Sequence, residues 1–368
     1  MRFGTQILAA KQAISVIIEE SSPDLEIITM SIHANRLYST LVEIIRIPST
    51  SGHEEHVRRY LEQQLTELGL TPHVDDTGNL IATLPGTGKP LLLNAHMDRV
   101  PPGLGHEPVL RAGILYSDGT TNLGADDAAG LAIILEVLRR TVEQQKAHPP
   151  LVIVFTVQEE TGLCGASHFD NSALAVSDGL IFDNAFEAGT VVSQGAAYEA
   201  FKVKISGRTG HPGKDLSSTV NALEIFRAAK YPHGSLADDQ TRINIGSITG
   251  GTARNAIPAT VTLEGEIRSF EPAARLEHYK QAIRKAFEQA ASQFGGQVEI
   301  TFNTHSTGYT IGSDEPLLLT YRRVLEQRGA TLKLRPTFIG SDTSGFRPAI
   351  RAFTISTGVV PQCHQNLH

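Results

Sequence analysis

The feature of this chain that most constrains its fold is a set of apolar runs that each end in acidic or histidine residues. A strand that crosses a core and ends in a carboxylate or an imidazole places that group at the edge of its sheet. Several such groups at one edge would repel one another unless a cation lay among them. The pattern therefore predicts a hydrolytic metal site, built from the segments Leu91–Asp98, Gly124–Asp127, Phe155–Glu160 and Leu180–Asp183.

Composition narrows the class of protein. The chain has 368 residues, 40% hydrophobic and 19% charged, as expected for one large globular domain or two ordinary ones. A net charge of -7 without a basic cluster disfavours nucleic-acid binding, and no apolar run reaches the roughly 20 residues of a membrane span. Two distant cysteines, Cys164 and Cys363, favour a reducing, cytoplasmic compartment. Residues 1–33 are expected to be an N-terminal extension rather than a secretory signal.

Strand and helix patterns alternate in the first half of the chain and again near its end. The run from Leu151 to Val157 is almost continuously apolar, as in a strand covered on both faces. This alternation predicts a three-layer α/β domain. Its expected helices span about 34–47, 53–68 (with Ser51 and Glu54 as a capping box), a segment opened by Asp126, and 315–327; its expected strands span about 78–84, 91–96, 151–157, 180–182 and 351–356.

The pattern changes near Val192. Segments 200–205 and 260–268 alternate apolar and polar residues, which favours an antiparallel sheet with one face in water. Helices over about 219–229 and 272–292 would cover the other face. We therefore predict a discontinuous α/β domain, 34–191 and 306–368, with an α+β domain inserted at 192–305.

Each motif also has an ordinary structural explanation when taken alone. A His-x-Asp triplet such as His96 and Asp98 is common on surfaces, and Asp126 can simply cap a helix. Glu159 and Glu160 are the strongest pair, because the buried run before them places two adjacent acids at a cleft. One of them can bind metal while the other, partly desolvated, acts as a general base.

Together the segments resemble the di-zinc exopeptidases and amidohydrolases that include tripeptidase T, carboxypeptidase G and acetylornithine deacetylase. The similarity is greatest to the tripeptidase T branch, through Asn94–Asp98, Leu123–Asp127 and Thr156–Leu163. The resemblance implies a zinc-exopeptidase catalytic domain with an inserted lid that dimerises. It also implies two Zn2+ ions, with Co2+ or Mn2+ as alternatives.

The resemblance assigns a role to each residue of the site. His96 and Asp183 would hold one metal, Glu160 and His364 the other, and Asp126 would bridge them. Asp98 would orient His96, and Glu159 would be the general base that activates a metal-bridging water. In the lid, the implied residues are His211 for the oxyanion, Asn255 for substrate contact and Arg268 for the substrate carboxylate, with the loop Gly340–Asp342 near the bound peptide.

The sequence departs from the pattern of these relatives in three ways. Ala128 stands where many of them have Lys after the two acids, and His368 stands where an acid follows the last histidine by four residues. The chain ends at His368, where the relatives continue into a helix. His368 is therefore the alternative to His364 as the last ligand.

The expected activity is zinc-dependent hydrolysis of peptide bonds in short peptides by a homodimer. The alternatives are an amidohydrolase that deacylates N-acyl amino acids, and a catalytically impaired relative that acts as a binding protein. A serine hydrolase and a P-loop protein are disfavoured, because the chain lacks a Gly-x-Ser-x-Gly turn and Gly86–Lys89 has the wrong spacing for a P-loop.

Overall fold

The structure, a computed structural model, describes residues 34–111, 113–172, 174–214, 216–347 and 349–358. The chain divides into two compact units: unit 1 comprises Met1–Ser193 and Thr310–His368, and unit 2 comprises Gln194–Tyr309. The predicted boundaries at 192 and 305 lie within a few residues of this division. The predicted N-terminal extension, residues 1–33, lies outside the described residues.

The helices and strands follow the apolar patterns of the sequence. The helices are α1 Ala34–Arg46, α2 Glu55–Glu67, α3 Ala128–Gln144, α4 Cys164–Ser167, α5 Ala222–Ala228, α6 Ala273–Phe294, α7 Pro316–Gln327 and α8 Thr343–Phe346. The strands are β1 His73–Val74, β2 Leu80–Leu84, β3 Leu91–His96, β4 Pro108–Arg111, β5 Ile114–Ser117, β6 Leu151–Thr156, β7 Asp178–Ile181, β8 Thr190–Gly195, β9 Ala197–Ser206, β10 Gly234–Leu236, β11 Thr241–Gly250, β12 Thr260–Ser269, β13 Gln297–Ser306, β14 Tyr309–Thr310, β15 Lys333–Thr337 and β16 Arg351–Thr354.

Unit 1 is built on a six-stranded sheet in the order β1-β2-β6-β3-β7-β16. Strands β6, β3, β7 and β16 run parallel to one another. Strand β2 pairs antiparallel with β6, and β1 pairs antiparallel with β2. In this register His96 lies opposite Thr156, and Asn94 lies opposite Ile181. The carboxyl ends of β3, β6 and β7 therefore meet at one edge of the sheet.

Both faces of this sheet are covered, which explains why its central strands are apolar throughout. Every residue of β3 and β6 is buried. On one face, Leu92, Val154 and Ile181 pack with Ala166 of α4 and Phe346 of α8. Helix α3 packs on β3 from the other face, and α1 packs on α3. The predicted three-layer α/β architecture is confirmed.

Unit 2 contains a five-stranded antiparallel sheet in the order β10-β11-β12-β9-β13. One face carries a core in which Val203, Leu263 and Ile267 pack against Ile283 and Phe287 of α6. The opposite face carries polar residues, as the alternating pattern predicts. Among the described residues, no helix is long and apolar enough to cross a membrane.

Two local predictions were wrong. Ser51 and Glu54 do not form a capping box, because Glu54 occupies the N-cap position of α2 without a side-chain cap hydrogen bond. The helix expected to open at Asp126 begins at Ala128, and Asp127 is its N-cap residue, with a side chain that accepts from the N–H of Gly130. The cap thus occupies Asp127 and leaves the Asp126 side chain exposed.

Candidate metal centre

The metal-ligand candidates lie at the edge where the parallel strands end. His96 is the last residue of β3, Glu159 and Glu160 follow β6, and Asp183 follows β7. One ligand atom from each of His96, Asp126 and Asp183 lies within 4.8 Å of the others. The same holds for His96, Glu159 and Glu160. The structure therefore brings together five of the residues that the sequence placed in one site.

The two ring nitrogens of His96 face different partners. Its Nδ1 lies 2.9 Å from the carbonyl oxygen of Asp98 and 3.3 Å from the Oδ1 of the same residue. Its Nε2 lies 3.2 Å from Oδ1 of Asp126. A proton on Nδ1 that is donated to Asp98 leaves Nε2 as the lone-pair nitrogen, which is the arrangement of a metal-binding histidine.

The two acids at the start of α3, Asp126 and Asp127, have different roles. Asp127 is buried, and its carboxylate accepts from the N–H of Gly130 at 3.0 Å and from the N–H of His96 at 3.3 Å. The Asp126 side chain is 72% exposed beside the His96 ring. The peptide bond between the two residues is cis. Asp127 thus anchors the helix end to β3, whereas Asp126 presents its carboxylate to the site.

Asp98 holds more than the histidine. Its Oδ1 accepts from the N–H of Glu159 at 2.9 Å, and its Oδ2 accepts from the N–H of Glu160 at 3.2 Å and from the hydroxyl of Ser51 at 2.6 Å. The residue is fully buried. These contacts, together with His96, hold the pKa of Asp98 below its usual value although burial alone would raise it. Asp98 therefore links the end of β3 to the turn after β6.

The electrostatics fit a divalent cation. Burial, followed by the charges of neighbouring acids, raises the pKa of Glu159 and of Asp183 well above the usual range. The same causes raise the pKa of Glu160 to about 7. Burial alone would lower the pKa of His96, but the pKa is raised because Asp126 and Asp98 favour the charged form of the ring. Crowded carboxylates around one imidazole are the donor set that divalent metals prefer, and a cation would relieve their repulsion.

A further acid lies beneath this edge, and the sequence did not place it there. Asp342 is 1% exposed, and its Oδ2 accepts from the hydroxyl of Thr156 and from the side-chain amide of Asn94, the latter at 3.3 Å. Burial raises its pKa to about 6. The sequence suggested a loop beside a bound peptide, whereas the structure buries the carboxylate between the ends of β3 and β6. Only the long-range fold reveals this contact, because 186 residues separate Asp342 from Thr156.

The lid candidates belong to unit 2. His211 and Asn255 are exposed, and their segments are joined, since Ile257 N–H donates to the carbonyl of Gly210 at 2.8 Å. Arg268 is half-buried, bonds the carboxylate of Glu266 at 3.1 and 3.2 Å, and lies 4.1 Å from the ring centre of Tyr198. His364 and His368 lie outside the described residues, so their roles stay predictions.

Comparison with known proteins identifies the family. The model of peptidase family M28 matches residues 79–192, and the model of the M20 peptidase dimerisation domain matches residues 198–294. The chain is 31% identical over 325 residues to the uncharacterized protein YqjE of Bacillus subtilis, covering 85% of this chain and 87% of that one. This chain belongs to the M20 peptidase family.

Solved structures at 30% identity or more show what the chain is similar to. A tripeptidase from Staphylococcus aureus superposes with a TM-score of 0.83 at 31% identity, covering 88% of this chain and 90% of that one. The aminopeptidase PepT from Bacillus cereus superposes with a TM-score of 0.79 at 30% identity, with the same coverage of 88% and 90%. The M20 chain described here is therefore a metallopeptidase-type hydrolase with a catalytic domain, a dimerisation domain and a candidate metal site.

Proposed function

We propose that this M20 chain hydrolyses peptide bonds in short peptides at a centre that holds two divalent metal ions, with Glu159 as the general base. The convergence of His96, Asp126, Glu160 and Asp183 on one sheet edge carries the proposal. His96 and Asp183 would hold one ion, Glu160 would contribute to the other with His364, and Asp126 would bridge them. Zn2+ is the expected metal, and when bound it would lower the pKa of water and polarise the scissile carbonyl.

Glu159 is suited to move the proton in this reaction. Glu159 is 8% exposed, and burial raises the pKa of its carboxylate, which favours uptake of a proton from water and its return to the leaving amine. Its backbone is fixed by Asp98 at 2.9 Å, which limits the directions in which the side chain can point. A buried acid with a fixed backbone next to metal-ligand candidates is the arrangement that a general base requires.

Replacement of Glu159 by Ala tests this role against the alternative that Glu159 is itself a ligand. Turnover of tripeptides should fall by about three to four orders of magnitude, a large effect for loss of a general base. Metal content of the purified variant should stay near that of the wild type. Near-normal turnover would contradict the base role, and a loss of one metal per chain would make Glu159 a ligand.

The class of substrate can be identified by comparing the rates at which two kinds of amide are cleaved. Tripeptides with a free amine and a free carboxylate should be cleaved faster than N-acetyl amino acids. The reverse preference would identify an amidohydrolase that deacylates amino acids. No turnover of either class by metal-loaded protein would favour the impaired relative that the sequence left open. A cytoplasmic location, which would suit a peptide-recycling role, stays a prediction that rests on cysteine usage.

Geometry within unit 2 supports a dimer in which each copy contributes a lid residue to the site of its partner. His211 and Asn255 lie on loops next to the start of β12, whereas Arg268 lies near its end, opposite Tyr198. From Thr260 to Arg268 the strand advances by ~26 Å, but an extended tripeptide spans only ~10 Å. This separation along the strand favours two different lids as the sources of His211 and Arg268, and we propose that two lids contribute them.

Mixed dimers provide the test. Glu159→Ala and His211→Ala chains, each inactive alone, are co-expressed with different affinity tags and the mixed dimers are purified. If His211 acts across the interface, one site of each mixed dimer is intact, and activity should reach about half that of the wild-type dimer. Inactive mixed dimers would show that His211 serves its own chain. A monomeric protein with full activity would contradict the dimer proposal.

A further inference from the structure

Three consecutive amides at the end of β6 donate to two buried carboxylates. The N–H of Gln158 donates to Oε1 of Glu54 at 3.2 Å. The N–H groups of Glu159 and Glu160 donate to the two oxygens of Asp98, at 2.9 and 3.2 Å. The backbone that carries the proposed base and one metal-ligand candidate is thus held by side chains from two other parts of the chain.

Glu54 is buried for a reason other than helix capping. It stands at the N-cap position of α2, yet its side chain makes no cap hydrogen bond and is 6% exposed. Its Oε1 accepts from the N–H of Gly52 at 2.8 Å as well as from Gln158. Burying a carboxylate is unfavourable unless its hydrogen bonds are satisfied. Here one bond holds the loop before α2 and the other holds the turn after β6.

Ser51 extends the same support to Asp98. Its hydroxyl donates to Oδ2 of Asp98 at 2.6 Å, and the neighbouring Thr50 forms a parallel bridge with Arg99. Ser49 in turn donates to the carbonyl of Met97. The loop 49–54 therefore lies along the end of β3, supplies one of the two carboxylates that hold the 158–160 backbone, Glu54, and bonds the other, Asp98.

The turn that receives this support has an unfavourable backbone conformation. Gln158 has φ of 51°, in the left-handed region that non-glycine residues rarely adopt. Within the turn, Gly162 and Leu163 N–H groups both donate to the carbonyl of Glu159. Those bonds close the turn on its far side, but the N–H of Gln158 itself is held by Glu54. An outside acceptor at this point stabilises a conformation that the local sequence does not favour.

We infer that Glu54 is a positioning residue for the reaction, and that it acts with Ser51 by holding the 158–160 backbone so that Glu159 points at the reacting centre. The inference rests on the proposed function, because it takes Glu159 as the base. Loss of the Glu54 acceptor would let the turn relax and displace the Glu159 carboxylate. Displacements of about 1 Å in catalytic geometry lower rates by about a hundredfold.

Glu54→Ala, Glu54→Gln and the control Glu55→Ala form the test. Glu55 is the adjacent acid, is exposed, and lies in the first turn of α2. We expect Glu54→Ala to lower kcat by about a hundredfold while KM and metal content stay close to wild type. Glu54→Gln retains a carbonyl acceptor for Gln158 and should recover much of the rate. Glu55→Ala should retain wild-type kcat.

A second measurement does not depend on turnover. Amide hydrogen exchange in a peptide that covers residues 157–163 should speed up in Glu54→Ala and stay unchanged in Glu55→Ala. If the wild type cleaves no amide tested, the proposed function fails while this exchange result still decides the positioning contact. A lower melting temperature with unchanged kcat and unchanged exchange in this segment would overturn the inference, since Glu54 would then serve folding alone.

Discussion

The carboxylate of Asp98 receives the backbone N–H of Glu159 at 2.9 Å, while Nδ1 of His96 lies 3.3 Å from the same oxygen. The resemblance to known hydrolases gave Asp98 a single task, the orientation of His96. The structure gives it a second one, because the same side chain fixes the turn that carries Glu159 and Glu160. One residue therefore couples the ends of two neighbouring strands at the candidate metal centre.

Asp98→Asn is predicted to weaken metal binding by about 10- to 100-fold, the range seen for partners of metal-bound histidines. Each carboxylate oxygen of Asp98 faces two of the four donors, and the amide keeps only one oxygen, so two donors among His96, Ser51 and the two N–H groups lose their acceptor. Competition with a chelating dye measures the change. Asp118→Asn is the control, since Asp118 also accepts a backbone N–H, from Thr120, on an exposed turn. Equal metal affinity in both variants would contradict the prediction.

Removal of metal is predicted to lower the melting temperature of the protein. Burial and mutual repulsion raise the pKa of Glu159, Glu160 and Asp183, so these side chains destabilise the fold when no cation lies among them. At a metal concentration a thousandfold above Kd, binding would add about 4 kcal/mol to the free energy of unfolding. Thermal melts with and without a chelator measure this difference.

A matched variant gives the control for metal removal. Asp126→Asn removes one of the proposed ligands on the exposed side of the site, and its melting temperature should respond less to the chelator than that of the wild type. Melts of the wild type that superpose with and without chelator would argue against a stabilising metal at this edge.

Asp342→Asn is predicted to impair both stability and metal binding. The substitution puts a neutral amide where a carboxylate now accepts from Thr156 and Asn94 at one oxygen, so both bonds lose the charge that strengthens them. Loss of a charged hydrogen bond costs about 1.5 to 3 kcal/mol, and these two partners lie beside His96 at the ends of β3 and β6. Chemical denaturation and metal titration provide the two readouts.

Asp178→Asn is the control for Asp342, because Asp178 lies on the same sheet at its opposite end. It forms a two-point ion pair with Arg351 at 3.0 and 2.7 Å. The control should lose stability and keep its metal affinity and kcat. If both variants lose only stability, Asp342 supports the core alone and does not act on the metal centre.

Arg268→Ala is predicted to raise KM for peptides with a free carboxylate by about 10- to 100-fold, because a charge-assisted bond is lost. Peptides with a C-terminal amide should show little change. Glu266 now pairs with this guanidinium, so Glu266→Gln should lower KM by removing an internal competitor. Arg242→Ala is the control on the adjacent strand, where the side chain pairs with Asp239. An equal change for acid and amide peptides would exclude a carboxylate contact.

The sequence by itself determined most of the secondary-structure elements and the sheet edge where the candidate metal centre lies. The apolar runs at 91–93 and 151–155 favoured buried strands, and the alternation at 260–268 favoured a sheet with one face in water. The residues that follow those runs, His96, Glu160 and Asp183, were therefore predictable as neighbours at one sheet edge. Local periodicity and burial carry this information, because both act on residues close together in the chain.

The tertiary structure alone decided which side chains hold that edge in place. The spacing of Ser51 and Glu54 predicted a helix cap, but Ser51 bonds Asp98 and Glu54 bonds Gln158. Asp342 was predicted to lie in a loop beside the peptide, but its carboxylate is buried against Thr156. Hydrogen bonds between segments about 50 to 190 residues apart leave no periodic trace in a single sequence. The strength of such bonds depends on burial and on distances of a few tenths of an ångström, which exist only after the chain has folded.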